Sequence, residues 1–295
     1  MKGYFSLIMI LMAAILWGTT GTAQALAPET AHPIAIGTIR LAVGGLFLLS
    51  IVLLAGKLDF RNWPVKTTIV AAVCMALYQP FFFSAVLMTG VAVGTVVAIG
   101  SAPIFSGLIE MLVLRKRPSG VWWFSTLLSI SGCLLLLMNQ ASVNINPIGI
   151  ILALGAGLSF AGYTFVSRKM LANHSPLSVV AVVFMLSAIL LSPLLFVFDL
   201  SWITSIRGVG ISLHLGIVAT GIAYFLFAKG LSNVSSSTAV TLSLAEPLTA
   251  TLLGVIVVGE RLNLLSWTGI SLLLLGIVIL IWSSSRADNR KIKII

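Results

Sequence analysis

The chain has 295 residues, 59% of them hydrophobic and 8% charged. Soluble domains carry about 25% charged residues, so this is not a soluble core, and the net charge of +10 is read as a record of membrane topology rather than a nucleic-acid surface. There is no phosphate-binding loop or catalytic triad, and the three histidines and two cysteines are scattered, so the expectation is no enzyme, no cofactor, no metal site and no nucleic-acid partner.

Along the chain, runs of about 20 apolar residues recur, each long enough to cross a bilayer as a helix. Continuous stretches such as Leu134–Leu137 and Leu272–Leu275 argue against the alternating strands of a barrel. Ten spans are predicted: 5–26, 33–55, 66–88, 91–114, 119–138, 147–170, 176–198, 207–229, 235–258 and 264–283. Lys2 precedes a run too long for a signal-peptide core, which is therefore read as the first span. Cys74 and Cys133 fall inside spans and are read as buried free thiols.

Charge sets the orientation. With the N-terminus inside, fourteen Lys and Arg residues occupy inward segments, whereas only Arg207 and Arg261 lie outside and Arg40 lies within a span. This predicts a multi-pass protein of the plasma (bacterial inner) membrane with both termini cytoplasmic. The basic tail 286–295 then lies against the anionic inner leaflet.

A shift of 144 positions aligns the chain with itself without a gap: Gly18 on Gly162, Phe83 on Phe227, Pro103 on Pro247, Arg117 on Arg261, Trp123 on Trp267 and Gly132 on Gly276. Each half then holds five spans, an odd number, so the second half must cross in the opposite sense. The expected architecture is all-α and integral to the membrane, with ten transmembrane helices as two inverted-topology five-helix repeats, 1–144 and 145–285, followed by the tail. Such a repeat builds a site near the midplane that opens alternately to either side.

Several short motifs lie in matching places: Trp17-Gly18; Arg40-Leu41-Ala42; Ser101-Ala102-Pro103 with Arg117-Pro118; and Ala245-Glu246-Pro247 with Gly259-Glu260-Arg261-Leu262. Together they resemble the EamA-type branch of the drug/metabolite transporter superfamily over essentially the whole chain. The resemblance implies ten helices in two inverted halves and movement of small metabolites, often amino acids, commonly outward. Two departures stand out. The first copy reads Leu114-Arg115-Lys116-Arg117 where the second reads Val258-Gly259-Glu260-Arg261, and span one holds no acidic residue, so the proton-coupling glutamate of the small multidrug resistance proteins is absent.

Charges within the hydrocarbon are costly and ask for an explanation. Glu246, mid-span beside Pro247, is a candidate for a substrate ammonium or a proton, or else a protonated partner of a neighbouring helix. Arg40 can meet a substrate carboxylate, or pair structurally with Glu246 or helix-end carbonyls. Glu110 is expected to form a local ion pair near Arg115. Trp17, Tyr78 and Gln79 near the midplane, and Tyr163 and Tyr224 in the inner half, are candidate cavity lining or packed helix contacts, since Trp and Tyr usually gather at the interfaces. His214 is a further candidate, as a titrating group or a hydrogen-bonding partner. Pro103 and Pro247 are expected hinges. Gly90 with Gly94, and Ala153, Gly157 and Ala161, are spaced for close helix packing.

The expected function is a secondary carrier exporting amino acids or related metabolites, with a small-molecule substrate, the lipid bilayer and a candidate coupling proton as partners. An importer or broad drug exporter of the same fold, an intramembrane enzyme, and a sensor or scaffold are the alternatives.

Overall fold

The computed structural model describes residues 2–28, 30–56, 58, 61–137, 146–253, 255–256 and 262–292. Among these, all regular structure is helical. The helices are α1 Lys2–Ala25, α2 Pro33–Leu54, α3 Val65–Gly90, α4 Val93–Leu114, α5 Gly120–Leu137, α6 Pro147–Met170, α7 Pro176–Leu191, α8 Ile206–Leu231, α9 Ser236–Leu242, α10 Ala245–Leu253 and α11 Leu264–Ile292. Eight helices are long and apolar enough to cross a membrane, and Gly120–Leu136 is a shorter apolar one. The predicted ninth span is instead two short helices, α9 and α10, separated at Ser243 and Leu244.

Local sequence sets several helix starts. Pro33, Pro147 and Pro176 each open a helix, where a missing N–H costs nothing. The preceding residue caps each: His32 Nδ1 accepts from Ile34 N, Asn146 Oδ1 from Ile148 N, and Ser175 Oγ from Ser178 N. Gly90, at φ 84° and ψ 159°, turns the chain between α3 and α4, a conformation that favours a residue without Cβ.

The pairings are α3 and α4 on α6, α5 on α11, α2 on α7, and α1 on both α8 and α10. Glycine permits the closest of these approaches. A Cβ on Gly132 would lie 2.6 Å from the Gly269 carbonyl oxygen, and one on Gly276 would lie 2.7 Å from that of Ser125, so α5 and α11 meet backbone to backbone. Gly157 likewise sets α6 against the Ala98 carbonyl of α4. Large apolar side chains stay exposed around the outside, among them Ile8, Leu46, Leu77, Leu112, Ile189 and Leu275, more than a soluble monomer leaves in water. The fold is that of a multi-pass membrane protein. Cys133 is buried, whereas Cys74 is only half-buried; both are free thiols.

Candidate functional site

An aromatic cluster fills the middle of the bundle. The Trp17 ring centroid lies 4.6 Å from that of Tyr224, 5.2 Å from Phe227 and 5.8 Å from Phe160. Beside it lies a cavity of about 140 Å³ whose walls come from α1, α2, α3, α4, α6, α8, α9 and α10 and the Ser243 break. Its lining extends to Gln24, Val86 and Thr95, where α1 and α3 finish and α4 begins.

Five of the eight sequence candidates line this cavity: Trp17, Arg40, Tyr78, Tyr224 and Glu246. Arg40 is 7% exposed, and its Nε donates to Thr220 Oγ1 at 3.0 Å while its Nη2 donates to the Ala219 carbonyl at 3.4 Å. Both acceptors belong to a π-helical stretch of α8, His214–Ile222. The wider turn leaves backbone acceptors off the regular ladder, a local irregularity frequent at functional sites. Arg40 is thus held by α8 and not by Glu246.

Glu246 stands in the first turn of α10, where the helix dipole favours a carboxylate. Among the described residues, no hydrogen bond or ion pair reaches that carboxylate. The break preceding it follows from Pro247. A proline has no N–H to give the carbonyl four residues earlier, and the Ser243 carbonyl accepts instead from Glu246 N at 2.9 Å in a tight turn.

Three candidates do not line the cavity. Gln79 follows Tyr78 by about 100° around the helix; it is 1% exposed, and its Oε1 faces Gly37 without a hydrogen-bond partner. Tyr163 packs behind the cavity wall, 5.9 Å from the rings of both Phe184 and Tyr224. His214 bonds Thr19 through Nε2 and Oγ1 at 2.9 Å. Of the expected hinges, Pro247 adjoins the break, whereas the helix runs through Pro103 and departs from helical angles at Gly90 instead.

Glu110 corrects its expectation. Its carboxylate makes no pair with Arg115 but accepts from Ser236 N at 2.8 Å and from the Ser237 hydroxyl at 2.7 Å. The second copy's Gly-Glu-Arg motif at 259–261 lies outside the described residues.

The cavity also takes residues that sequence reasoning missed: Thr20, Gln24, Phe82, Phe160 and Ser243. Thr20 and Gln24 continue the face of α1 that carries Trp17, at spacings of three and four residues, and this was the available signal. Trp17 Nε1, Thr20 Oγ1 and Gln24 Nε2 are buried without a hydrogen-bond partner.

A model of the EamA-like transporter family matches residues 4–138 and again 147–282. The uncharacterized transporter YwfM of Bacillus subtilis (strain 168) is 54% identical over 280 residues, covering 95% of each chain. The threonine/homoserine exporter RhtA of Escherichia coli (strain K12) is 27% identical over 297 residues, covering 96% of this chain and 92% of its own. A solved crystal structure at 20% identity superposes with a TM-score of 0.83, covering 96% of this chain and 98% of the other; at that identity the likeness shows the fold alone. The chain belongs to the EamA-like transporter family, and it is a membrane transporter rather than an enzyme.

Proposed function

We propose that this transporter is a secondary carrier that exports amino acids or related zwitterionic metabolites across the plasma membrane by alternating access. One observation carries the reading: a guanidinium and a carboxylate, Arg40 and Glu246, reach the same aromatic-walled cavity from opposite halves of the chain. Arg40 takes the substrate carboxylate, a charge-assisted contact that a planar guanidinium can make bidentate. Glu246, which has no donor among the described residues, takes the ammonium. Trp17, Tyr78 and Tyr224 enclose the remainder. Arg40 is 7% exposed, and a charge contact made at so buried a group is stronger than one at a surface.

The same reading assigns ten spans in two inverted halves, 1–144 and 145–285, with the basic tail 286–295 and both termini in the cytoplasm. Two successive matches to one family model support the halves, and the excess of inward Lys and Arg supports the orientation. The name of the 27% identical threonine/homoserine exporter supports the substrate class and direction. Pro247, next to the helix break, is the hinge of the second half, and Pro103 is its counterpart in the first.

The test is purified protein in liposomes loaded with labelled amino acids, with and without a pH gradient. Release of a subset that disappears with Glu246→Gln is expected, and acceleration by the gradient would make protons the coupling ion. No release of any amino acid would remove the substrate class.

A further inference from the structure

Glu110 and Arg168 take no part in the cavity, yet both hold the connection that feeds the broken helix. Glu110, 6% exposed on α4, accepts from Ser236 N at 2.8 Å, Ser237 N at 3.3 Å and Ser237 Oγ at 2.7 Å. Arg168, in the last turn of α6, donates from Nε to the Val234 carbonyl at 2.6 Å. Asn233 Nδ2 adds a bond to Ser6 Oγ of α1 at 3.1 Å. Three helices therefore grip the segment between α8 and α9. Held this way, α9 presents Val240 to the cavity and leads to the break before Glu246.

The 144-residue repeat gives the residues at the opposite end. Glu110 corresponds to Gly254, Ser236 to Ala92, Ser237 to Val93, Val234 to Gly90 and Arg168 to Gln24. The carboxylate and both serines are missing there. Gln24 alone keeps a donor, and its Nε2 is buried in the cavity wall without a partner. A Cβ on Gly90 would meet nothing within 4 Å. One end is clasped by charge-assisted hydrogen bonds, and the cavity lining runs toward the other.

We propose that Glu110 and Arg168 are the inner gate of this carrier, an inference that rests on the alternating-access reading above. The clasp holds α9 shut on the side rich in Lys and Arg while the cavity is open outward. It must release for the cavity to open inward. Gln24, the repeat counterpart of Arg168, donates to the Gly90 turn when the outer end closes. The unequal clasps bias the resting protein toward the outward-open state.

The test reads access directly and needs no substrate. In a chain with Cys74→Ala and Cys133→Ala, Val240→Cys reports the cavity to a membrane-impermeant thiosulfonate applied from either side of vesicles. With the clasp intact, labelling is fast from outside and slow from inside. Glu110→Ala and, separately, Arg168→Ala are expected to raise the inside rate by about tenfold or more, the shift that losing a hydrogen bond to a charged group produces. Unchanged inside labelling in both variants overturns the gate. The pair Glu110→Cys with Ser237→Cys provides the converse: oxidation must stop inside labelling and reduction must restore it. Continued inside labelling of the cross-linked protein also overturns the gate. A protein that gates in this way but releases no amino acid would keep the clasp and lose only the substrate class.

Discussion

Arg40 and Glu246 face one cavity without pairing: the guanidinium is anchored 3.0 Å from Thr220 Oγ1, and the carboxylate has no donor among the described residues. The anchor fixes the guanidinium so that its remaining donors stay available. Arg40→Ala is therefore expected to abolish release from liposomes. Arg40→Lys should fail to restore it, because an ammonium is a point charge without the planar fork. Thr220→Val removes one hydrogen bond to a charged group, worth about 1.5–3 kcal/mol, and should weaken transport at least tenfold while leaving the purified protein monodisperse. Full transport in Thr220→Val would show that the α8 anchor is dispensable.

Replacing Pro247 is expected to have opposite effects on stability and transport. Pro247→Ala supplies an N–H for the Ser243 carbonyl and lets α9 run into α10. The extra backbone hydrogen bond is worth about 1 kcal/mol, so the melting temperature in detergent should rise. Transport should fall, because Glu246 loses its place at the start of a separate half-helix. A variant that is both less stable and fully active would contradict the role of the break.

Much of the fold was legible in the sequence because apolar runs of bilayer length allow little but helices. The repeat pointed to Gly132 and Gly276, and both turn out to be places where α5 and α11 touch backbone to backbone. The break at Ser243 was legible only as a bend at Pro247, since proline marks the weak point without saying how far the helix opens. At the site, Trp17 and Tyr78 reach the cavity, but Gln79 does not, because adjacent helical residues point about 100° apart and depth alone cannot separate them. Thr220 was invisible as a partner of Arg40: the contact spans 180 residues and depends on a π-helical stretch with no obvious sequence mark. Glu110 looked local because Arg115 is near in sequence, whereas its acceptors' partners lie 126 and 127 residues away.

The α5–α11 contact gives a packing prediction. Valine at Gly132 would drive side-chain atoms into the Gly269 carbonyl and Leu273 N. Overpacking of this kind costs about 1–3 kcal/mol. Gly132→Val should lower the melting temperature, and Gly276→Val should do the same, whereas Gly210→Val, with open space around it, should not. Equal melting temperatures for all three would contradict the close approach.

Arg115 ends α4 at φ 53°, a left-handed conformation that costs a residue with a Cβ about 1–2 kcal/mol. Its repeat counterpart is Gly259, the residue type suited to that position. Arg115→Gly is expected to stabilise the protein by about 1 kcal/mol in thermal unfolding, less whatever the loss of one positive charge removes. A clear drop in stability would mean that the Arg115 side chain contributes more than its backbone costs.

The most direct measurement is competition for release by ligands that lack one charge. Liposomes containing the protein and labelled amino acids are loaded with an excess of unlabelled amino acid, of an amine without a carboxylate, or of an acid without an amine. Unlabelled amino acids should slow release of the label, and neither single-charge analogue should. In ligand binding to the purified variants, which needs no transport, Glu246→Gln should abolish the requirement for the ammonium, and Arg40→Ala that for the carboxylate. Analogues that compete as well as intact amino acids, or variants that retain wild-type selectivity, would contradict a site in which Arg40 and Glu246 hold the two ends of a zwitterion.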